Sequence, residues 1–206
     1  MRELGALADR ILELLATGLG LDRSHFATVF GAQPMSLTKM IHYPPTPAGG
    51  AGVNAHHDTG FVTLLAPGPT AGLEVLDPVG NWVDVPSIPG TLVMNLGEML
   101  QAMTGNYFVA TAHRVVTATD RVSAAYFHGP SLETELRPIA MPDRFLDAVA
   151  ASERHRSAGF MASPEQTAAG IGDMGSATHT STYGEQLWNY FSRSYPDNMA
   201  IHHADA

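Results

Sequence analysis

At 206 residues, 45% of them hydrophobic, the chain can bury one sizeable core, and one domain is the best prior. A formal charge of −9 argues against a nucleic-acid or anionic-membrane partner, and no apolar run reaches the roughly 18 residues that a membrane span needs. Without cysteine there are no disulfides and no thiolate ligands, so any metal must be held by imidazole and carboxylate, which suits iron, manganese or zinc.

The first apolar residues, Leu4, Leu7, Ala8, Ile11, Leu12, Leu15 and Leu19, have helical spacing and stop at Gly18-Leu19-Gly20. The early acid Glu3 makes this an amphipathic helix rather than a secretory signal, which predicts a cytoplasmic protein. A second short helix runs through Phe26, Val29 and Phe30, with Ser24 as its N-cap. From Ser36 the texture becomes that of short strands. Residues 36–43 are extended and end at Pro44-Pro45; a Pro/Gly-rich loop over 44–52 then leads to a strand-like run headed by His56 and Asp58. Further strands are expected over 61–65, 72–76, 82–85, 91–96, 113–118 and 122–128, with one helical turn at 98–103. Pro67-Gly68-Pro69, Asp77 to Asn81 and Pro89-Gly90 supply the turns. Strands this short and evenly spaced predict an antiparallel sandwich or barrel, mainly β with flanking α-helices. Residues 142–151 read as helix and 152–181 as a polar, glycine-bearing irregular segment. Residues 183–195 read as an amphipathic helix stopped by Pro196. The organisation is one domain over 1–206: N-terminal helices at 1–31, a β core at 36–138 and a helical and irregular C-terminal extension at 139–206.

Side chains two apart in a strand share a face, so His56 and Asp58 can approach one ion while His57 points away. An isolated H-x-D arises easily by chance; His113, at the start of a late strand, strengthens it, because a barrel can bring that strand alongside. Two imidazoles and one carboxylate leave coordination positions open, as non-haem Fe(II) oxygenases require. A closed structural zinc site would want a fourth protein ligand. Arg121 and Ser123 share a face of the next strand, where a guanidinium fork and a hydroxyl can grip a carboxylate. Taken alone, Arg121 would read as a solvent-facing residue after Asp120. His42 and His128 read as strand histidines, with a place at the pocket rim the alternative for His128, and His155, His179, His202 and His203 as solvated. Trp82, Phe61, Phe108 and Phe127 read as core, and the ten methionines as adaptable packing.

His56-x-Asp58, the run Thr59 to Leu65, Gly72-Leu73-Glu74-Val75, Pro89 to Gly97, Ala110 to Val115 and Arg121-x-Ser123 together resemble the iron(II)- and 2-oxoglutarate-dependent dioxygenases, with the isopenicillin N synthase-like branch the nearest. The resemblance implies a double-stranded β-helix, the cupin-like jelly roll. It implies His56, Asp58 and His113 as ligands of Fe(II), and Arg121, Ser123 and Tyr43 as the residues that hold 2-oxoglutarate. Lys39 shares the strand face of Ile41 and Tyr43 and so faces the pocket. Phe127, in the run Tyr126 to Pro130, and Arg193, in the run Phe191 to Pro196, resemble segments of ethylene-forming bacterial members, which implies substrate contacts. The implied reaction oxidises a small organic substrate with O2 while 2-oxoglutarate is decarboxylated to succinate and CO2. Its rivals are a cosubstrate-free oxidase of the same fold, a non-catalytic metal-binding jelly roll or fragment, and a zinc hydrolase lacking an evident general base. Members of the family carry a further N-terminal region that helps enclose the substrate. The resemblance leaves three expectations for that region: a fragment, a natural minimal form, or a protein completed by a partner or a second copy.

Overall fold

The computed structural model describes residues 1–31, 33–46, 50–135, 137–152, 182–194, 196–197 and 201. In chain order the elements are α1 (Arg2–Gly18), α2 (His25–Phe30), β1 (Ser36–Tyr43), β2 (Ala51–His56), β3 (Val62–Ala66), β4 (Leu73–Leu76), β5 (Trp82–Asp84), β6 (Val93–Leu96), α3 (Glu98–Met103), β7 (His113–Val116), β8 (Arg121–His128), α4 (Asp143–Ala150) and α5 (Tyr183–Ser194). The strands form two antiparallel sheets of order β1-β8-β3-β6 and β2-β7-β4-β5, a double-stranded β-helix. Among the described residues no helix is long and apolar enough to cross a membrane.

Strand alternation gives the first sheet two different faces. Tyr43, Leu65 and Ala125 point inward and pack on Leu73 and Val115 of the second sheet, forming the interior of the roll. Val62, Leu64 and Tyr126 point the other way and pack beneath the helices. There α1 buries Ala8, Leu12 and Ala16 at four-residue spacing, and two alanines on that stripe let the helix lie close. Phe61, wholly buried, meets Phe26 and Phe30 edge-to-face at centroid distances of 6.0 and 5.1 Å. Burying such a ring contributes roughly 2–3 kcal/mol.

Several local expectations are corrected by the structure. Ser24 holds the N-cap position of α2 without making a side-chain cap. Instead Asp22 Oδ1 accepts from the Ser24 N–H and hydroxyl, and these bonds lower the Asp22 pKa. Gly52, expected in a loop, belongs to β2. Asp58 lies beyond the end of that strand rather than on it. Trp82 is half-buried on the outer side of the second sheet, with the Arg114 guanidinium 4.2 Å over its ring, and Arg114 in turn bonds Glu74 at 2.5 Å. His128 points away from the roll's interior: its ring stacks on Phe30 at 4.6 Å and its Nε2 lies 3.0 Å from Asp9 on α1. The expected irregular segment falls almost wholly within residues 153–181, outside the described residues, as do His155, His179, His202 and His203.

Candidate metal centre

The two histidines singled out from the sequence are direct partners across the β2–β7 ladder, His56 opposite His113. They meet because β2 is irregular. From Val53 opposite Val115 to His56 opposite His113, β2 uses one residue more than β7. That bulge reverses the side-chain phase and turns His56 inward. In a regular ladder Ala55 would face His113 and His56 would point outward.

Asp58 is positioned by different means. Beyond β2 the chain turns through residues 58–61, and the start of α3 takes up the carbonyls of Asp58, Gly60 and Phe61. Glu98 N–H donates to Asp58 O at 2.8 Å, Gly97 N–H to Phe61 O at 2.9 Å and Met99 N–H to Gly60 O at 3.3 Å. The first amides of a helix lack intrahelical partners, so α3 satisfies its own donors by holding this segment.

Both imidazoles are oriented by their own backbone. His56 Nδ1 lies 2.9 Å from Asn54 O, and His113 Nδ1 lies 3.1 Å from Thr111 O. A carbonyl can only accept, so each Nδ1 carries the proton and each Nε2 presents a lone pair. Those Nε2 atoms stand 4.0 and 3.7 Å from Asp58 Oδ1, and one ligand atom from each of the three residues lies within 4.8 Å of the others. Asn95 Nδ2, from the inner face of β6, reaches Asp58 Oδ2 at 3.4 Å and leaves Oδ1 to the imidazoles. Neutral nitrogen and anionic oxygen donors converging in this way fit a divalent cation. Asn95 was not singled out from the sequence, where it is one polar residue inside an apolar strand. That polarity on an inward position was the available signal.

Burial first, then the neighbouring His113, lowers the His56 pKa. Burial likewise holds His57 at about 4 and lowers His128 against the opposing pull of Asp9. These groups are neutral when folded and titrate near the ordinary histidine value of about 6.5 when unfolded. Below that value the unfolded chain binds more protons, so their contribution to stability is complete above pH 6.5 and is lost as pH falls towards 4. Melting of the metal-free chain from pH 7.5 to 4.5 should therefore show a falling Tm; a flat Tm over that window would contradict these shifts.

A second group of side chains shares the interior. Arg121, Ser123 and Phe127 lie on one face of β8, beside Lys39, Ile41 and Tyr43 of β1. The Arg121 side chain is among the most completely buried of the described residues. Its Nη2 donates to Pro67 O at 3.0 Å and its Nε to Thr70 O at 3.3 Å, its guanidinium stands 4.8 Å over the Tyr43 ring, and among the described residues Nη1 has no hydrogen-bond partner. Tyr43 hydroxyl and Ser123 Oγ are 3.1 Å apart. A buried guanidinium with a spare donor beside a hydroxyl pair fits an anionic ligand such as a carboxylate. Lys39 Nζ lies 5.7 Å over the Phe127 ring, and its charge contributes to lowering the His56 pKa, which puts it within electrostatic reach of the imidazoles. Arg193 lies on α5, and its side chain is outside the described residues. The groove of about 860 Å³ between α2 and residues 131–140 contains none of these groups.

Residues 34–130 match the sequence model of the 2OG-Fe(II) oxygenase superfamily. Over 148 residues the chain is 36% identical to gibberellin 3-beta-dioxygenase 2-3 of Triticum aestivum, covering 67% of this chain and 40% of that one. Over 144 residues it is 35% identical to 1-aminocyclopropane-1-carboxylate oxidase 3 of Arabidopsis thaliana, covering 66% of this chain and 45% of that one. Among solved structures it resembles JOX2 in complex with 2OG, Fe and JA, with TM-score 0.65 and 29% identity over 68% of this chain and 43% of the other. The chain spans less than half the length of these relatives.

Proposed function

The chain belongs to the 2OG-Fe(II) oxygenase superfamily, and from that premise we propose a non-haem iron(II) oxygenase of the isopenicillin N synthase-like branch, located in the cytoplasm. In this reading it couples decarboxylation of 2-oxoglutarate to succinate and CO2 with oxidation of a small organic substrate by O2. The observation that carries the reading is the convergence of His56, Asp58 and His113 inside the same roll that buries the Arg121 guanidinium.

His56, Asp58 and His113 would hold the iron. Two neutral imidazoles and one carboxylate leave a divalent cation with net positive charge, which favours an anionic ketoacid beside it. Arg121 and Ser123 would bind the far carboxylate, and Tyr43, 3.1 Å from Ser123 Oγ, would orient that hydroxyl. Leu65, Val115 and Ala125 exclude water from the interior and so strengthen each of these polar contacts. Lys39, Phe127 and Arg193 are assigned to the substrate. When bound, iron(II) and 2-oxoglutarate together supply the activation of O2 and the electrons it takes up.

Likeness to a protein named as an oxidase supports a second reading, in which no 2-oxoglutarate is used and Arg121 with Ser123 holds the substrate's own carboxylate. Anaerobic titration with Fe(II) and then 2-oxoglutarate separates the two. The first reading expects a visible charge-transfer band as the ketoacid chelates the iron, with none in His113→Ala. Iron binding with no band, and no succinate from labelled 2-oxoglutarate, would favour the second.

A further inference from the structure

We propose that Glu98 is a positioning residue for the metal centre and acts through His57. The inference rests on the assignment of His56, Asp58 and His113 as iron ligands. His57 lies between two of them in sequence, and its ring turns away from them into the protein. Its Nδ1 stands 3.5 Å from Glu98 Oε1, a close polar approach that is not a hydrogen bond between them, with both side chains less than a tenth exposed. Glu98 also donates its own N–H to the Asp58 carbonyl at 2.8 Å.

One residue therefore meets the ligand segment at two successive points, by a hydrogen bond from its amide and by a close approach of its carboxylate. Its amide fixes the carbonyl of the ligand Asp58, and its carboxylate faces the ring of the preceding residue. His56 and Asp58 flank His57, so any rotation of the chain about His57 swings both ligand side chains. Holding the His57 ring in the interior fixes their direction. A buried carboxylate carries a desolvation penalty that an apolar residue of the same volume would avoid. The gain here is in the placement of the ligands rather than in stability, and outer partners of this kind commonly alter metal affinity by about 10–100-fold.

The test is Co(II) titration of the full chain, followed by ligand-field absorption, with circular dichroism and melting as controls. Glu98→Met keeps the volume and removes the carboxylate. It should melt at or above the native temperature, yet bind Co(II) about tenfold more weakly and with an altered spectrum. Glu98→Gln keeps an oxygen for His57 and should recover most of the loss. His57→Leu should match Glu98→Met, and the double variant should be no weaker than either single one, because both remove the same contact. If Glu98→Met does not fold, His57→Leu carries the same comparison with Glu98 in place. Native affinity in Glu98→Met or His57→Leu, while His113→Ala abolishes binding, would overturn the positioning role and leave the functional reading standing. A native chain that binds no Co(II) would overturn both.

Discussion

Gly97→Ala is expected to abolish divalent-metal binding at concentrations that saturate the native chain, and to destabilise the fold by about 3 kcal/mol or more. The reason is space, not backbone conformation. Gly97 has φ −98° and ψ 165°, values open to any residue. A Cβ there would stand 2.0 Å from Gly60 O and 2.5 Å from Gly60 C, both backbone atoms with no rotamer to escape through. The 58–61 segment would have to move by more than an ångström. Three amide contacts from the start of α3 would stretch together, and Asp58 would leave the imidazoles. Gly80→Ala is the matched control. Gly80 has φ +93° but nothing within 4 Å of an added Cβ, so it should cost only about 1 kcal/mol from conformation and leave metal affinity unchanged. Co(II) titration and thermal melts on both variants decide the matter. Native affinity in Gly97→Ala would mean that α3 does not hold the ligand segment.

The contrast between these glycines shows what kind of information the sequence carried. Strand positions were legible because alternation is a local property, and β1 and α3 begin and end where their residues imply. Residue type and spacing also marked the three convergent donor side chains, His56, Asp58 and His113, and the Arg121–Ser123 face. The means of convergence was not legible. The extra residue that turns His56 inward lies between Val53 and His56, where neither Asn54 nor Ala55 announces a bulge; Gly52 marks only the earlier register shift, between Ala51 and Val53. Asp58 was expected to share the face of His56 through strand geometry. It does approach His56, but from beyond the strand, through carbonyl contacts to a helix some forty residues later, which no local pattern encodes. Side chains that two registers could place equally well were the remaining difficulty. Trp82 looks like core by composition, but its strand turns it outward beneath Arg114, and His128 falls on the helix side of β8 rather than at the pocket.

Arg121→Lys should raise the 2-oxoglutarate concentration needed for half-saturation at least tenfold while leaving metal affinity close to native. The native guanidinium divides its donors. Nη2 and Nε bond the carbonyls of Pro67 and Thr70, which tie down the turn around Gly68, and Nη1 remains unused among the described residues. That turn cannot readily withdraw: Gly68 lies so close to β8 that a Cβ would stand 2.2 Å from Val122 O. An ammonium keeps the charge but not the planar fork, so it satisfies either the carbonyls or a carboxylate poorly. Arg121→Met should have the larger effect. It strands both carbonyls in a buried site, costing about 2–4 kcal/mol of stability, and should remove 2-oxoglutarate binding by a hundredfold or more. Titration of the charge-transfer band measures the affinity, and denaturant unfolding measures the stability. If both variants lose stability but bind 2-oxoglutarate as the native chain does, Arg121 is a structural clamp on the 67–70 turn and the carboxylate is held elsewhere.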